Sequence, residues 1–234
     1  TRLEIRRACN SGGRVPGDPY VEPHLSSAAL LTIDTQHDFA EGPYTIAGTA
    51  AAASSIAGLA RGWRAAGLPI VHVVRFYRDD GSNVDACRRS LIQSGMRLVS
   101  PGSSGSQLVS GITPEGADDL DCELLLRGEI QRLGPHEAVI YKPRWSAFFG
   151  TPLDPYLLAA GISTLVVTGC NYANCPRATI YDASCRDYRL IVVRDAISGI
   201  QGRDVTQLEG IGAVVASSEE LLAALPSLKA GARL

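Results

Sequence analysis

The sequence predicts an α/β protein, a three-layer αβα sandwich on an open, mostly parallel sheet of about six strands. Short runs of Val, Ile and Leu recur along the chain, among them Ala28-Ala29-Leu30-Leu31-Thr32-Ile33 and Leu190-Ile191-Val192-Val193. Such near-continuous hydrophobicity marks strands buried on both faces. Between these runs lie segments that read as helices, and strands alternating with helices imply right-handed βαβ crossovers. The bulk numbers agree: 234 residues, 45% hydrophobic and 20% charged, suffice for one sizeable core.

Residues 1–27 are rich in Gly, Pro, Ser and Arg and show no period. They are expected to form an N-terminal arm that lies over the domain or reaches a neighbouring subunit. Residues 28–234 are then a single domain. Its first strand runs from Ala28 and ends in an acid, Asp34. The Ala-rich stretch 47–66 predicts a helix closed by Gly67, with Pro69 beyond it. Ile70-Val71-His72-Val73-Val74-Arg75-Phe76 is a second buried strand. Residues 79–122 are turn-rich, with one helix expected near 85–95. The Ser/Gly loop at 101–106 lacks the lysine and preceding strand of a phosphate-binding loop, so a lid is the expected role. Periodicity then returns with strands at 138–142, 164–168, 190–194 and 213–216. Helices are expected at 153–160, 176–187 and 204–210, and a last one opens at Ser217.

A net charge of −2 gives no reason to expect nucleic acid or an anionic membrane as partner. No apolar run approaches the roughly 18 residues that span a bilayer. The opening Thr1-Arg2-Leu3-Glu4-Ile5-Arg6-Arg7 is charged with no apolar segment behind it, so no secretory signal is expected there. Six scattered cysteines in a chain of this size read as reduced thiols in a cytoplasmic protein.

Among those cysteines, Cys175 stands out. It follows the apolar run 162–167 and the loop 168–174, and precedes a helical stretch that opens with Pro176. At a strand–loop–helix junction, unpaired N–H groups and the helix dipole favour negative charge, so a thiol pKa lowered towards neutrality is expected. In an open α/β sheet the ligand lies beyond the carboxyl ends of the strands. Asp34 and Lys142 end two strands and Cys175 follows a third, so an acid, an amine and a thiol share that edge. Phe39, Trp145, Phe148 and Tyr172 are candidates for an aromatic pocket, and Arg75 and Arg78 for binding a carboxylate.

Three ordered segments resemble the isochorismatase-like cysteine hydrolases, the superfamily that includes nicotinamidases, N-carbamoylsarcosine amidohydrolase and ureidoacrylate hydrolase. They are Leu31-Thr32-Ile33-Asp34-Thr35-Gln36-His37-Asp38-Phe39, the run from Lys142 to Thr151, and Val167-Thr168-Gly169 with Cys175 behind it. The stretch Tyr188 to Ala196 is also similar, and the likeness covers about residues 28–225. The resemblance implies a catalytic triad of Asp34, Lys142 and Cys175, a cis peptide at Cys170–Asn171, and a homodimer or homotetramer. It implies an amide, ureido or lactam substrate whose carbonyl the Cys175 thiolate attacks, giving a thioester. Asp34 would take the thiol proton, Lys142 would stabilise the thiolate, and the backbone N–H groups of Asn171 and Cys175 would hold the oxyanion.

Two departures bear on the substrate. Nicotinamidase-type members bind a metal through an Asp-x-His pair and a further His. This sequence has no Asp-x-His between its first two strands, and its four histidines show no ligand spacing, so no metal and no cofactor are expected. Pro176 replaces the small aliphatic residue common after the nucleophile and should stiffen the turn. Two other functions compete: isochorismatase-type vinyl-ether hydrolysis, which needs an acid and no thiol, and a non-catalytic protein whose Cys170 and Cys175 act in redox sensing or binding.

Overall fold

A computed structural model of the chain describes residues 18–225. Of the expected arm, residues 1–17 lie outside the described residues, as do 226–234 at the other end. The described part of the arm runs past the sheet's core strands: the His24 N–H donates to Thr164 Oγ1 at 2.9 Å, and the Pro19 carbonyl accepts from Arg189.

Among the described residues the sheet has seven strands, in keeping with the six or so expected. In chain order they are β1 (Ala28–Ile33), β2 (Ile70–Val74), β3 (Gln131–Gly134), β4 (Glu137–Tyr141), β5 (Thr164–Gly169), β6 (Arg189–Ile197) and β7 (Val214–Ala216). Their order across the sheet is β3-β4-β2-β1-β5-β6-β7, and every pairing is parallel except β3 with β4. The sequence did not announce β3. It is a polar edge strand in a hairpin with β4, defined by its pairing rather than by an apolar pattern of its own.

Among the described residues eight α-helices accompany the sheet: α1 (His37–Ala40), α2 (Thr49–Ala66), α3 (Ala86–Gln93), α4 (Cys122–Leu126), α5 (Leu153–Ala159), α6 (Cys175–Ser184), α7 (Gly202–Gly210) and α8 (Ser218–Ala224). The strand alternation sorts the core into two layers. Leu31, Ile33, Val71, Val73, Leu165 and Val167 face α5, α6 and α7, where Leu157, Ile180 and Leu208 pack. Leu30, Ile70, Val166, Ile191 and Val193 face α2 and α8, against Ile56, Leu59, Trp63 and Leu221. Gly67 closes α2 at φ 72°, its N–H returning to the Arg64 carbonyl, as a left-handed C-terminal glycine does. The four-residue α1 and five-residue α4 are too short to write a period into the sequence.

The chain leaves β1 towards β2 on one side and later returns to pair β5 on the other, so strand order reverses between β1 and β5. That is where an open α/β sheet forms its crevice. The 101–106 loop, expected as a lid, is anchored at its far end. Ser106 is fully buried, its carbonyl accepts from Gln36 Nε2 at 2.6 Å, and Gly105 presses so close to the Asp38 carboxylate that no side chain would fit. Among the described residues no helix is long and apolar enough to cross a membrane, and Cys87, Cys122, Cys170, Cys175 and Cys185 are unbridged.

Candidate active site

Four neighbouring strand ends bring the site together. Asp34 follows β1, Arg75 follows β2, Lys142 follows β4, and Cys175 opens α6 after β5. Their backbones are pinned: the Asp34 N–H donates to the Val73 carbonyl at 2.8 Å, and the Lys142 N–H to that of Val74 at 3.0 Å. Asp34 adopts φ 51°, a left-handed conformation that aspartate tolerates better than most residues.

Lys142 is fully buried and donates through Nζ to Asp34 Oδ2 at 2.7 Å. The other carboxylate oxygen, Oδ1, is buried and has no partner of normal hydrogen-bond geometry, while the Cys175 thiol is close enough for the Asp34 carboxylate to act on it as an acceptor. The carboxylate is thus divided, one oxygen fixed by the ammonium and one left as an acceptor. Cys175 is also buried, and the charges of Asp34, Lys142 and Arg75 all act on its thiol. The expected lowering of its pKa is not found. Burial pushes the thiol up, Asp34 adds to the rise, and Lys142 and Arg75 oppose it without cancelling it. The thiol form therefore dominates at neutral pH, and the thiolate must be made by handing a proton to a nearby base.

The turn into α6 also differs from expectation. Among the described residues all peptide bonds are trans, Cys170–Asn171 included. The bend is made at Gly169 instead, with φ 128° and so close to the Ile33 backbone that a Cβ would collide with it. A trans chain from there lets the Cys170 N–H reach the Ile33 carbonyl and the Tyr172 N–H reach that of Ser198, both at 2.8 Å. The Asn171 and Cys175 N–H groups donate to no described residue. Pro176 occupies the second helical position, where no intrahelical N–H bond is lost.

The proposed pocket residues divide. Arg75 is 1% exposed and belongs to the cluster, whereas Arg78 is exposed in the following turn with its backbone on Asn83. Phe148 is spent in the core, stacked on Tyr188 at 5.8 Å with the Arg186 guanidinium carbon 4.7 Å from its ring centroid. Tyr172 is likewise core, its hydroxyl buried without a partner. Phe39 packs with Tyr77, Val84 and Cys170, and Trp145 is 39% exposed. Among the described residues no three of His, Cys, Asp or Glu converge as metal ligands.

Several residues of the site escaped the sequence reading. Gln36 clamps the Arg75 backbone, accepting from its N–H at 2.9 Å and donating to its carbonyl at 2.8 Å. The Tyr77 hydroxyl donates to Asp85 Oδ2 at 3.1 Å and accepts from Arg88 Nη1 at 2.9 Å, and burial drives its pKa up to about 12. With its amide turned to suit its neighbours, Asn174, next to the nucleophile, accepts from Arg88 Nη2 at 3.1 Å. The only signal for this network was the polar content of 77–88, which reads equally well as a solvated loop.

Comparison with known proteins places the fold in a family. The isochorismatase domain family model matches residues 125–220. A protein of Arabidopsis thaliana named as a probable inactive nicotinamidase is 30% identical over 80% of this chain and 90% of its own length. The ureidoacrylate amidohydrolase of Methylobacterium radiotolerans is 29% identical over 71% of this chain and 65% of its own. The crystal structure of an isochorismatase family protein from Desulfovibrio vulgaris superposes with a TM-score of 0.71 at 32% identity, covering 86% of this chain and 98% of that one. That of N-carbamoylsarcosine amidase from Thermoplasma acidophilum gives 0.65 at 27% identity, over 82% and 97%. With identities of 30% and 32% to relatives covered over 90% or more of their length, the chain belongs to the isochorismatase-like hydrolase superfamily.

Proposed function

We propose that this chain is a cysteine amidohydrolase that cleaves a C–N amide, ureido or lactam bond of a small molecule through a thioester. The observation that carries the reading is the divided Asp34 carboxylate: Oδ2 on Lys142 at 2.7 Å, Oδ1 buried and unpaired, beside a buried thiol. Asp34 accepts the Cys175 proton, which offsets the penalty that burial places on the thiolate, while Lys142 and Arg75 stabilise the sulfur anion. The thiolate adds to the carbonyl, and the free N–H groups of Asn171 and Cys175 receive the oxyanion. Protonated Asp34 then gives its proton to the departing nitrogen, the C–N bond breaks, and a thioester remains. Water, losing its proton to Asp34, hydrolyses the thioester and returns the thiol.

Two relatives bear names of C–N hydrolases, which supports the reaction class; the Arabidopsis relative is named as inactive, so the site itself must decide. A redox role fits the site less well. Burial raises the Cys170 thiol to about 11, and a thiol so protonated is a slow partner for oxidants. The test is an ammonia- and amine-release screen of small amides, ureides and lactams, with intact-mass detection of the acyl-enzyme after acid quench. Wild type is expected to turn over at least one compound class with the adduct on the Cys175 peptide, and Cys175→Ala to release nothing while keeping its fold. Turnover that survives Cys175→Ala, or an adduct on Cys170, overturns the reading.

A further inference from the structure

The polar groups of Cys175 are its thiol, its N–H and its carbonyl, and the first two are reserved for the reaction. The thiol is the nucleophile, and the N–H donates to no described residue. The carbonyl is the remaining handle by which the protein can hold this residue, and it accepts from Thr179 Oγ1 at 2.8 Å. A threonine hydroxyl in a helix often bonds back four residues in this way, and by itself that bond is local. Here the same oxygen also accepts from the Ala147 N–H, at 3.0 Å. An N–H can only donate, so the hydroxyl proton is committed to Cys175, and the bonds run one way from Ala147 through Thr179 to the nucleophile. Thr179 is fully buried, where water competes for neither bond. Ala147 lies five residues past Lys142, on the loop that leaves β4. Its own carbonyl is gripped as well, accepting from Thr151 Oγ1 at 2.6 Å. Three residues beyond Thr179 on α6, Asp182 accepts from Ser146 Oγ, and that hydroxyl receives the Phe148 N–H at 3.1 Å. The loop after the lysine is thus strapped along the helix that the cysteine opens, and Thr179 is the strap that reaches the cysteine itself.

We propose that Thr179 is a positioning residue for the nucleophile: its hydroxyl couples Cys175 to the loop behind Lys142 and holds the thiol in register with the Asp34–Lys142 pair. This rests on the amidohydrolase reading and adds a residue to its machinery without changing the chemistry. Lys142 is already fixed, its N–H on the Val74 carbonyl and its Nζ on Asp34. Cys175 instead follows the 170–174 loop, so its place depends on what holds the first turn of α6. Misplacing a reacting group by about 1 Å can cost on the order of 100-fold in rate. Without the hydroxyl the Ala147 N–H would be buried with no acceptor, and loop and helix would shift apart to relieve it. Thr179 acts through the Cys175 carbonyl and touches no reacting atom.

The experiment compares Thr179→Val, which keeps the shape and removes the hydroxyl, with Thr179→Ser, which keeps the hydroxyl and removes the methyl. Thr179→Ala stands in for the first should it not fold, and each variant is verified by its thermal transition. The first readout is iodoacetamide alkylation of Cys175 against pH, which needs no substrate. Lys142→Ala should raise the alkylation pKa in wild type. Made on Thr179→Val, the same substitution should raise it by roughly half as much or less, because the thiol is no longer held in the ammonium's field. On Thr179→Ser the full rise should return. The second readout is hydrolysis of a substrate found in the screen. Thr179→Val should lower kcat about 10-fold or more with KM within about threefold, and Thr179→Ser should stay within about threefold of wild type in both. A lowered Tm with kcat and the Lys142 effect intact would make Thr179 a packing residue and overturn the proposal. Equal losses in Thr179→Val and Thr179→Ser, or no Lys142 effect in wild type, overturn it too. If wild type hydrolyses no amide, yet the Lys142 effect shrinks in Thr179→Val and returns in Thr179→Ser, the positioning role stands and the amidohydrolase reading falls.

Discussion

Two clusters of buried charge lie within one sheet and are finished differently. Under α2, Glu137 accepts from Arg64 Nε and Nη2, each at 2.7 Å, and pairs with His72 Nε2 at 2.7 Å, while His72 Nδ1 meets the Thr32 hydroxyl at 2.7 Å. No polar side-chain atom of these four residues is left buried and unpaired. At the carboxyl edge, two residues beyond Thr32 along the chain, Asp34 Oδ1 and Arg75 Nη2 remain without partners. Buried charges are tolerated in both places because each has counter-charges. Completeness separates them: a closed network holds structure, and an open one keeps capacity for a ligand and a proton.

The largest test of that contrast is on the open side. Asp34→Asn keeps an acceptor for Lys142 but removes the base, so kcat/KM on a substrate found in the screen should fall by about 10³-fold or more. A fall below tenfold would mean that another group takes the thiol proton. On the closed side, Glu137→Gln should spare the activity of the folded enzyme but cost roughly 3–5 kcal/mol, because it strips the counter-charge from buried groups. At this chain length that lowers Tm by about 10 °C. Loss of activity with unchanged Tm would reverse the assignment of the two clusters.

The closed network also predicts an acid response. Burial alone would raise the Glu137 pKa, but the hydrogen bonds and charges of Arg64 and His72 outweigh it and hold the carboxyl below its ordinary 4.5. A depressed folded-state pKa contributes stability that is complete above the unfolded value and is lost as pH falls from there through the folded one. Melting curves from about pH 6 to about pH 3 should therefore show the gap between wild type and Glu137→Gln closing below 4.5. A gap constant with pH would show that Glu137 is not ionised in the fold.

A smaller effect reads the field at the nucleophile. Because Asp34 raises the Cys175 thiol and Lys142 lowers it, the alkylation pKa should move down in Asp34→Asn and up in Lys142→Ala. Shifts of the same sign would separate one of the two from the thiol. The smallest effect is expected from Arg78→Ala, within about 0.5 kcal/mol in stability and with unchanged turnover, since that side chain is exposed. A clear KM effect there would bring the exposed turn into the substrate site.

The sequence by itself determined the sheet and the chemistry at its edge. Runs such as Ala28–Ile33 and Thr164–Gly169 are apolar on both faces, a pattern that only a covered parallel strand satisfies, so their positions could be read directly. The placing of Asp34, Lys142 and Cys175 followed, because the carboxyl ends of parallel strands share one edge. Tertiary structure decided what local pattern cannot encode. β3 exists because β4 offers it an edge, and the 101–106 loop is held by Gln36, more than sixty residues away in sequence. Phe148 went to the core and Arg78 to the surface, although type and spacing made both fair candidates for the pocket. The Cys175 thiol departs from the expected pKa for the same reason. A helix terminus is a local feature visible in sequence, whereas desolvation is a sum over everything packed around the thiol, and here the sum prevails.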